Sequence, residues 1–119
     1  MILERDIERH LILKVKAVGG EVRKVSWPGH AGAPDRLVLF TGRLAEASCF
    51  VELKRPGKLP TPIQYREHAR LRAAGFGVVW FDTTAAIDRW IEALAVLRDD
   101  EQWQPPEGEV DAGDPRGRE

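Results

Sequence analysis

The 119-residue sequence predicts an α/β fold of order αβββαβα, a mixed four-stranded sheet flanked by helices. Three observations predict it. Apolar residues recur at helical spacing near both ends, short branched or alternating apolar runs crowd the middle, and Gly or Pro clusters punctuate the joints between them.

Between Ile2 and Val18 the apolar residues Ile2, Leu3, Ile7, Leu11, Ile12, Val15 and Val18 mark a first helix, which Gly19-Gly20 stops. Val22 to Val25 reads as a short strand. A loop from Ser26 to Pro34 follows, with two prolines and two glycines around Trp27 and His30. Asp35 to Phe40 is rich in branched apolar residues and reads as a buried strand. Ser48 to Leu53 is the next strand, and Thr41-Gly42-Arg43 predicts a hairpin that pairs the two antiparallel. Arg55 to Pro60 forms a basic loop. Thr61-Pro62-Ile63-Gln64 is a helix start, with Thr at the cap, Pro in the first turn and Gln three residues on, and the helix runs to about Ala74 before Gly75. Val78 to Phe81 makes a fourth strand. Thr83 or Thr84 opens a third helix through Leu97, with Ile87, Trp90, Ile91, Leu94 and Leu97 on its apolar face. There is no internal repeat.

A chain of this length fits one domain with a core of its own. No apolar run approaches the roughly 20 residues a membrane-crossing helix needs, which argues against a membrane role. The N-terminus lacks a basic stretch followed by a long apolar one, and the lone Cys49 has no intrachain partner, so a cytoplasmic location is expected. The formal net charge of −1 conceals a division. Residues 1–98 hold 16 Lys and Arg against 11 Asp and Glu, a balance of +5, whereas residues 99–119 hold 2 against 8, a balance of −6. Residues 1–98 are thus read as the domain. The remainder, with Pro105, Pro106 and Pro115, is read as an acidic, disordered tail. A basic body suits a phosphate backbone.

The chemistry concentrates around Asp35, Glu52 and Lys54. In an alternating strand Phe50, Glu52 and Lys54 share one face and Cys49, Val51 and Leu53 the other, so a carboxylate and an ammonium point into one space. Asp35, delivered by the Gly-His-Ala-Gly-Ala-Pro loop, meets Glu52 if the two strands are neighbours. Two carboxylates that hold a divalent cation, with a lysine beside them, supply what phosphodiester hydrolysis requires: an activated water and neutralisation of charge on the phosphate. Taken alone, Glu-x-Lys reads as the solvated face of an edge strand carrying an ion pair. His10 and His68 show no zinc-ligand spacing with Cys49.

The joint occurrence of Gly32-Ala33-Pro34-Asp35-Arg36, Val51-Glu52-Leu53-Lys54-Arg55-Pro56-Gly57-Lys58 and Thr61-Pro62-Ile63-Gln64 is more specific. It resembles the PD-(D/E)XK nuclease superfamily, and within it the VRR-NUC (virus-type replication-repair nuclease) branch, over about residues 2–92. The resemblance implies a restriction-endonuclease-like core. It also implies that Asp35 and Glu52 are metal ligands for Mg2+ or Mn2+, with the Leu53 or Val51 carbonyl a further ligand, and that Lys54 is the catalytic lysine. The family adds an acid from its first helix, for which Glu4 and Glu8, four apart on one face, are both candidates. Gln64 matches a polar residue that orients water or contacts the scissile phosphate, and its spacing from Thr61 serves a capping box equally well. Lys24, Arg55, Lys58 and Arg66 are the candidate DNA contacts. Arg36 is expected to hold a structural ion pair.

These resemblances imply a Mg2+- or Mn2+-dependent endodeoxyribonuclease selective for DNA structure, resolving Holliday junctions as a homodimer, with the apolar 78–97 region as interface and no small-molecule cofactor. A bacterial or phage-infected cell is the implied setting. Two other classes share the fold: a catalytically silent DNA-binding or scaffold subunit, and a nuclease acting on flaps, free ends or RNA.

Overall fold

The computed structural model describes residues 1–101 and 104. Its elements are α1 (Glu4–Ala17), β1 (Glu21–Lys24), β2 (Arg36–Leu39), a 3-10 helix (Gly42–Ala47), β3 (Cys49–Leu53), α2 (Pro62–Ala73), β4 (Val78–Phe81) and α3 (Thr84–Arg98). This is the predicted αβββαβα order. The acidic tail expected from the sequence lies outside the described residues, apart from residues 99–101 and 104.

α1 starts where the Leu3 amide donates to Asp6 Oδ2 at 2.7 Å, and it buries Ile7, Leu11 and Val15, a stripe of period four. Gly19, at φ +86°, ends it in the left-handed region that favours glycine. The strands lie in the order β1-β2-β3-β4. β1 pairs antiparallel with β2 and β2 antiparallel with β3, with Arg36 opposite Val51 and Leu37 opposite Phe50. β3 and β4 are parallel, with Glu52 opposite Trp80. A parallel pair demands a crossover rather than a tight turn, and α2 supplies it.

The hairpin expected at Thr41-Gly42-Arg43 is instead a six-residue 3-10 helix between β2 and β3. Leu44 explains the difference. It is 2 % exposed and joins the core, so the connection must dip inward, which a two-residue turn cannot do. The Ser48 hydroxyl closes the segment by accepting from the Phe40 amide at 2.9 Å.

One sheet face carries Val38, Cys49, Val51 and Leu53 and is covered by α1 and α3 through Ile7, Leu11, Val15, Ile87 and Ile91. α2 lies on the other face. Its capping box forms as the sequence predicts: Thr61 Oγ1 accepts from the Gln64 amide at 3.2 Å, and Gln64 Oε1 accepts from the Thr61 amide at 2.9 Å. Thr83 caps α3 by accepting from the Ala86 amide at 3.1 Å. Leu97, expected on the apolar face of α3, is 39 % exposed, so the buried stripe of α3 is carried by Ile87 and Ile91. Among the described residues no helix is long and apolar enough to cross a membrane.

Candidate active site

Alternation in β3 splits the strand as predicted. Val51 and Leu53 enter the core, while Glu52 and Lys54 turn to the opposite face, toward α2. Both are nonetheless buried, each 8 % exposed, which no solvated edge pair would be. Continuing the β2–β3 register one residue beyond Arg36 and Val51 brings Asp35 opposite Glu52. The loop that delivers Asp35 is held by the Trp27 indole, which donates to the Pro34 carbonyl at 2.8 Å and packs on Phe50 with ring centroids 5.3 Å apart. At Gly32 (φ +85°) a Cβ would stand 2.5 Å from Ile63 Cγ2, so glycine lets this loop lie against the first turn of α2.

Electrostatics set Glu52 apart. Burial pushes its pKa up to about 7, Lys54 and Arg36 work against the rise, and the negative charges of Asp35 and Glu4 add to it. Its Oε1 has no hydrogen-bond partner and is sealed from solvent. The Lys54 ammonium makes no hydrogen bond or ion pair among the described residues, although its charge is felt by both Glu52 and His68. A buried, protonation-prone carboxyl beside two further acids is a site short of positive charge.

The two helix-one candidates separate here. Glu8 is engaged by Arg36, whose Nε and Nη2 both reach Glu8 Oε2 at 2.6 Å. Arg36 Nη1 meets Asp35 Oδ1 at 2.5 Å, giving the structural ion pair the sequence suggests. Burial acts to lower the Arg36 pKa, and the two carboxylates outweigh it, so the net shift is upward. Glu4 adds to the rise of the Glu52 pKa. Glu4 is thus the helix-one acid whose charge reaches Glu52, while Glu8 is committed to Arg36.

Asp35, Glu52 and Glu4 offer the hard oxygen donors a divalent cation takes, and the buried Glu52 carboxyl spends no oxygen on a hydrogen bond among the described residues. The arrangement is a coupled pair with a third acid nearby. Among the described residues no three His, Cys, Asp or Glu side chains are already drawn together around one point. The Leu53 side chain faces the core, so that position can contribute only through its backbone.

The remaining candidates scatter. Gln64 spends its side-chain oxygen on the Thr61 amide. Lys24, Arg55, Lys58 and Arg66 are all exposed, on β1, on the loop after β3 and on α2. The 78–97 region places Val78, Phe81, Ile87 and Ile91 inside the fold, leaving Val96 and Leu97 as its exposed large apolar residues.

His68, weighed from the sequence only as a zinc ligand, is fully buried on α2 with its Nε2 3.6 Å from Glu52 Oε1. The available signal was spacing: His68 lies four residues after Gln64, on the same helical face.

No protein-family model matches the chain. Over 84 residues it is 48 % identical to "Putative nuclease p44" of Acyrthosiphon pisum secondary endosymbiont phage 1, covering 70 % of this chain and 86 % of that protein. A solved structure described as "VRR_NUC domain" superposes with a TM-score of 0.66 at 36 % identity, covering 75 % of this chain and 94 % of that one. Another, described as "VRR_NUC domain protein", is alike in fold, with a TM-score of 0.54 at 17 % identity over 81 % of this chain and 88 % of that one.

Proposed function

The chain belongs to the VRR-NUC family of nucleases, and from that premise we propose that it is a metal-dependent endonuclease that hydrolyses phosphodiester bonds in branched DNA. The observation that carries this reading is Glu52: a buried carboxyl with an unpartnered oxygen, crowded by Asp35 and Glu4 and sharing its strand face with Lys54. A Mg2+ or Mn2+ ion held by Asp35 and Glu52, with Glu4 and the Leu53 carbonyl completing the set, would neutralise phosphate charge and acidify water when bound. Lys54 then sits beside the scissile phosphate, where its ammonium stabilises the negative charge that builds on the phosphoryl oxygens and can hand over or accept a proton. Arg36 keeps Asp35 and Glu8 in place from behind. The exposed Lys24, Arg55, Lys58 and Arg66 would contact the DNA backbone, positioning a strand without reading its sequence.

A domain this small has little surface for base readout, so selection by DNA shape is the natural mode. Symmetric cutting of a four-way junction requires two sites at fixed separation, hence a homodimer. Gel filtration at working concentration tests that part, and a monomer near 13.4 kDa would refute it.

The experiment for the whole reading compares four-way junction, flap, single-stranded and linear duplex DNA, and RNA, with Mg2+, Mn2+ or EDTA, for the native chain and Lys54→Ala. Metal-dependent junction cutting that Lys54→Ala loses is expected. Cleavage that survives in Lys54→Ala would mean that this is not the active site, and binding without cleavage by the native chain would leave a silent DNA-binding module.

A further inference from the structure

Four polar or charged side chains are buried among the described residues: Arg36, Glu52, Lys54 and His68. The first three are accounted for above. His68 is 0 % exposed, and neither ring nitrogen has a hydrogen-bond partner. The orphan nearest to it is Glu52 Oε1, 3.6 Å from Nε2.

Each buried polar group left unpaired costs about 1–3 kcal/mol, and native interiors seldom keep one without reason. α2 buries only His68 and Leu71, so a leucine at 68 would complete its inner face and remove that cost. A histidine persists there, aimed at the most perturbed carboxyl in the site.

We propose that His68 is a positioning residue for Glu52, its Nε2–H donating to Oε1 so that the carboxyl is held in one rotamer with its second oxygen presented to the cation. This rests on the nuclease reading above. The separation exceeds a hydrogen bond by only about 0.5 Å, within reach of a small side-chain rotation. A ring donor on a fully buried helix face is a fixed support, because neither solvent nor another described side chain competes for its proton. Hydrogen-bonded support behind a ligating carboxylate typically carries 10- to 100-fold in metal affinity. His68 also explains how α2, which carries no metal-ligand candidate, contributes to the site.

The test uses the metal-free full chain as native, His68→Leu and His68→Gln. Mn2+ binding is followed by calorimetry and electron paramagnetic resonance, thermal unfolding without metal gives stability, and junction cleavage gives rate. His68→Leu is expected to lose about 10- to 100-fold in Mn2+ affinity while its unfolding midpoint stays level or rises, and His68→Gln, which can still donate, to recover most of the affinity. Native-like Mn2+ binding by His68→Leu in a native chain that binds and cuts would overturn this inference alone. Parallel loss of midpoint and affinity in both variants would make His68 a packing residue and overturn it too. A native chain that neither binds Mn2+ nor cuts DNA would overturn the nuclease reading and this inference together.

Discussion

Arg36 and Glu8, 28 residues apart in the chain, meet along one guanidinium edge, where Nε donates to Glu8 Oε2 at 2.6 Å and Nη2 lies 2.6 Å from the same oxygen as an ion pair. The pair ties α1 to β2 directly behind Asp35. Removing one partner of a buried ion pair leaves the other charge uncompensated, which costs more than the pair contributes. Asp35 still meets Arg36, and the Glu8 side chain is 26 % exposed, so the loss is smaller than for an isolated pair. Glu8→Ala is expected to lower unfolding free energy by about 2 kcal/mol, read by urea denaturation. Divalent-cation affinity should fall less in Glu8→Ala than in Glu4→Ala, and the reverse order would show that Glu8 is the helix-one ligand.

Lys54→Met removes the charge and keeps much of the stem. Cleavage is expected to drop by at least about 100-fold, with junction binding within a few-fold of native in a gel-shift assay. Because Lys54 holds the Glu52 pKa down, the variant's Glu52 should titrate above its present value of about 7. Side-chain carbon NMR of Glu52 reads that shift, and a lower pKa in Lys54→Met would contradict the arrangement.

The folded pKa of Glu52, about 7, lies above its ordinary 4.5, so the folded state binds this proton more tightly than the unfolded chain. Its contribution to stability is therefore complete below about pH 4.5 and is lost as pH rises through about 7, a swing of about 3 kcal/mol at 1.36 kcal/mol per pH unit. The difference in unfolding free energy between Glu52→Gln and the native chain, without metal, isolates it. Glu52→Gln should gain on native between pH 5 and 8, and Mn2+ should restore the native chain more at pH 8 than at pH 5.5. A difference flat in pH would count against the shifted carboxyl.

Gly32→Ala combines a left-handed backbone with a Cβ 2.5 Å from Ile63 Cγ2 and 3.0 Å from the Ile63 carbonyl oxygen. The carbonyl belongs to a helix and cannot rotate away. A loss of about 3 kcal/mol is expected, with cleavage reduced beyond the loss of folded protein because the Asp35 loop is displaced. Gly29→Ala, also at positive φ but with open space around its Cβ, should cost only about 1 kcal/mol.

Where the sequence was legible, local chemistry wrote the structure. Thr61, Pro62 and Gln64 state a helix start within four residues, and the capping box is there. The alternation of Phe50 to Lys54 states which side chains share a face, and they do. The misreadings came from contacts between distant segments. Thr41-Gly42-Arg43 looks like a tight turn until Leu44 is known to be buried in the core. His68 stands among Arg66, Glu67 and Arg70, a neighbourhood that reads as a water-facing helix, and only the packing of α2 on the sheet reveals it as buried. Glu4 and Glu8 are indistinguishable by spacing, because what separates them is Arg36, supplied from another element.

Cys49 lies on the core face of β3, 7 % exposed, and burial pushes its thiol pKa up to about 11. At neutral pH roughly one molecule in ten thousand then carries the reactive thiolate, and that one is shielded by packed side chains. The protein's sole sulfhydryl is thus kinetically silent toward alkylating reagents and toward air. A second cysteine introduced at an exposed position will react alone, so probes and cross-linkers can be placed at chosen points around the site without first removing the native one.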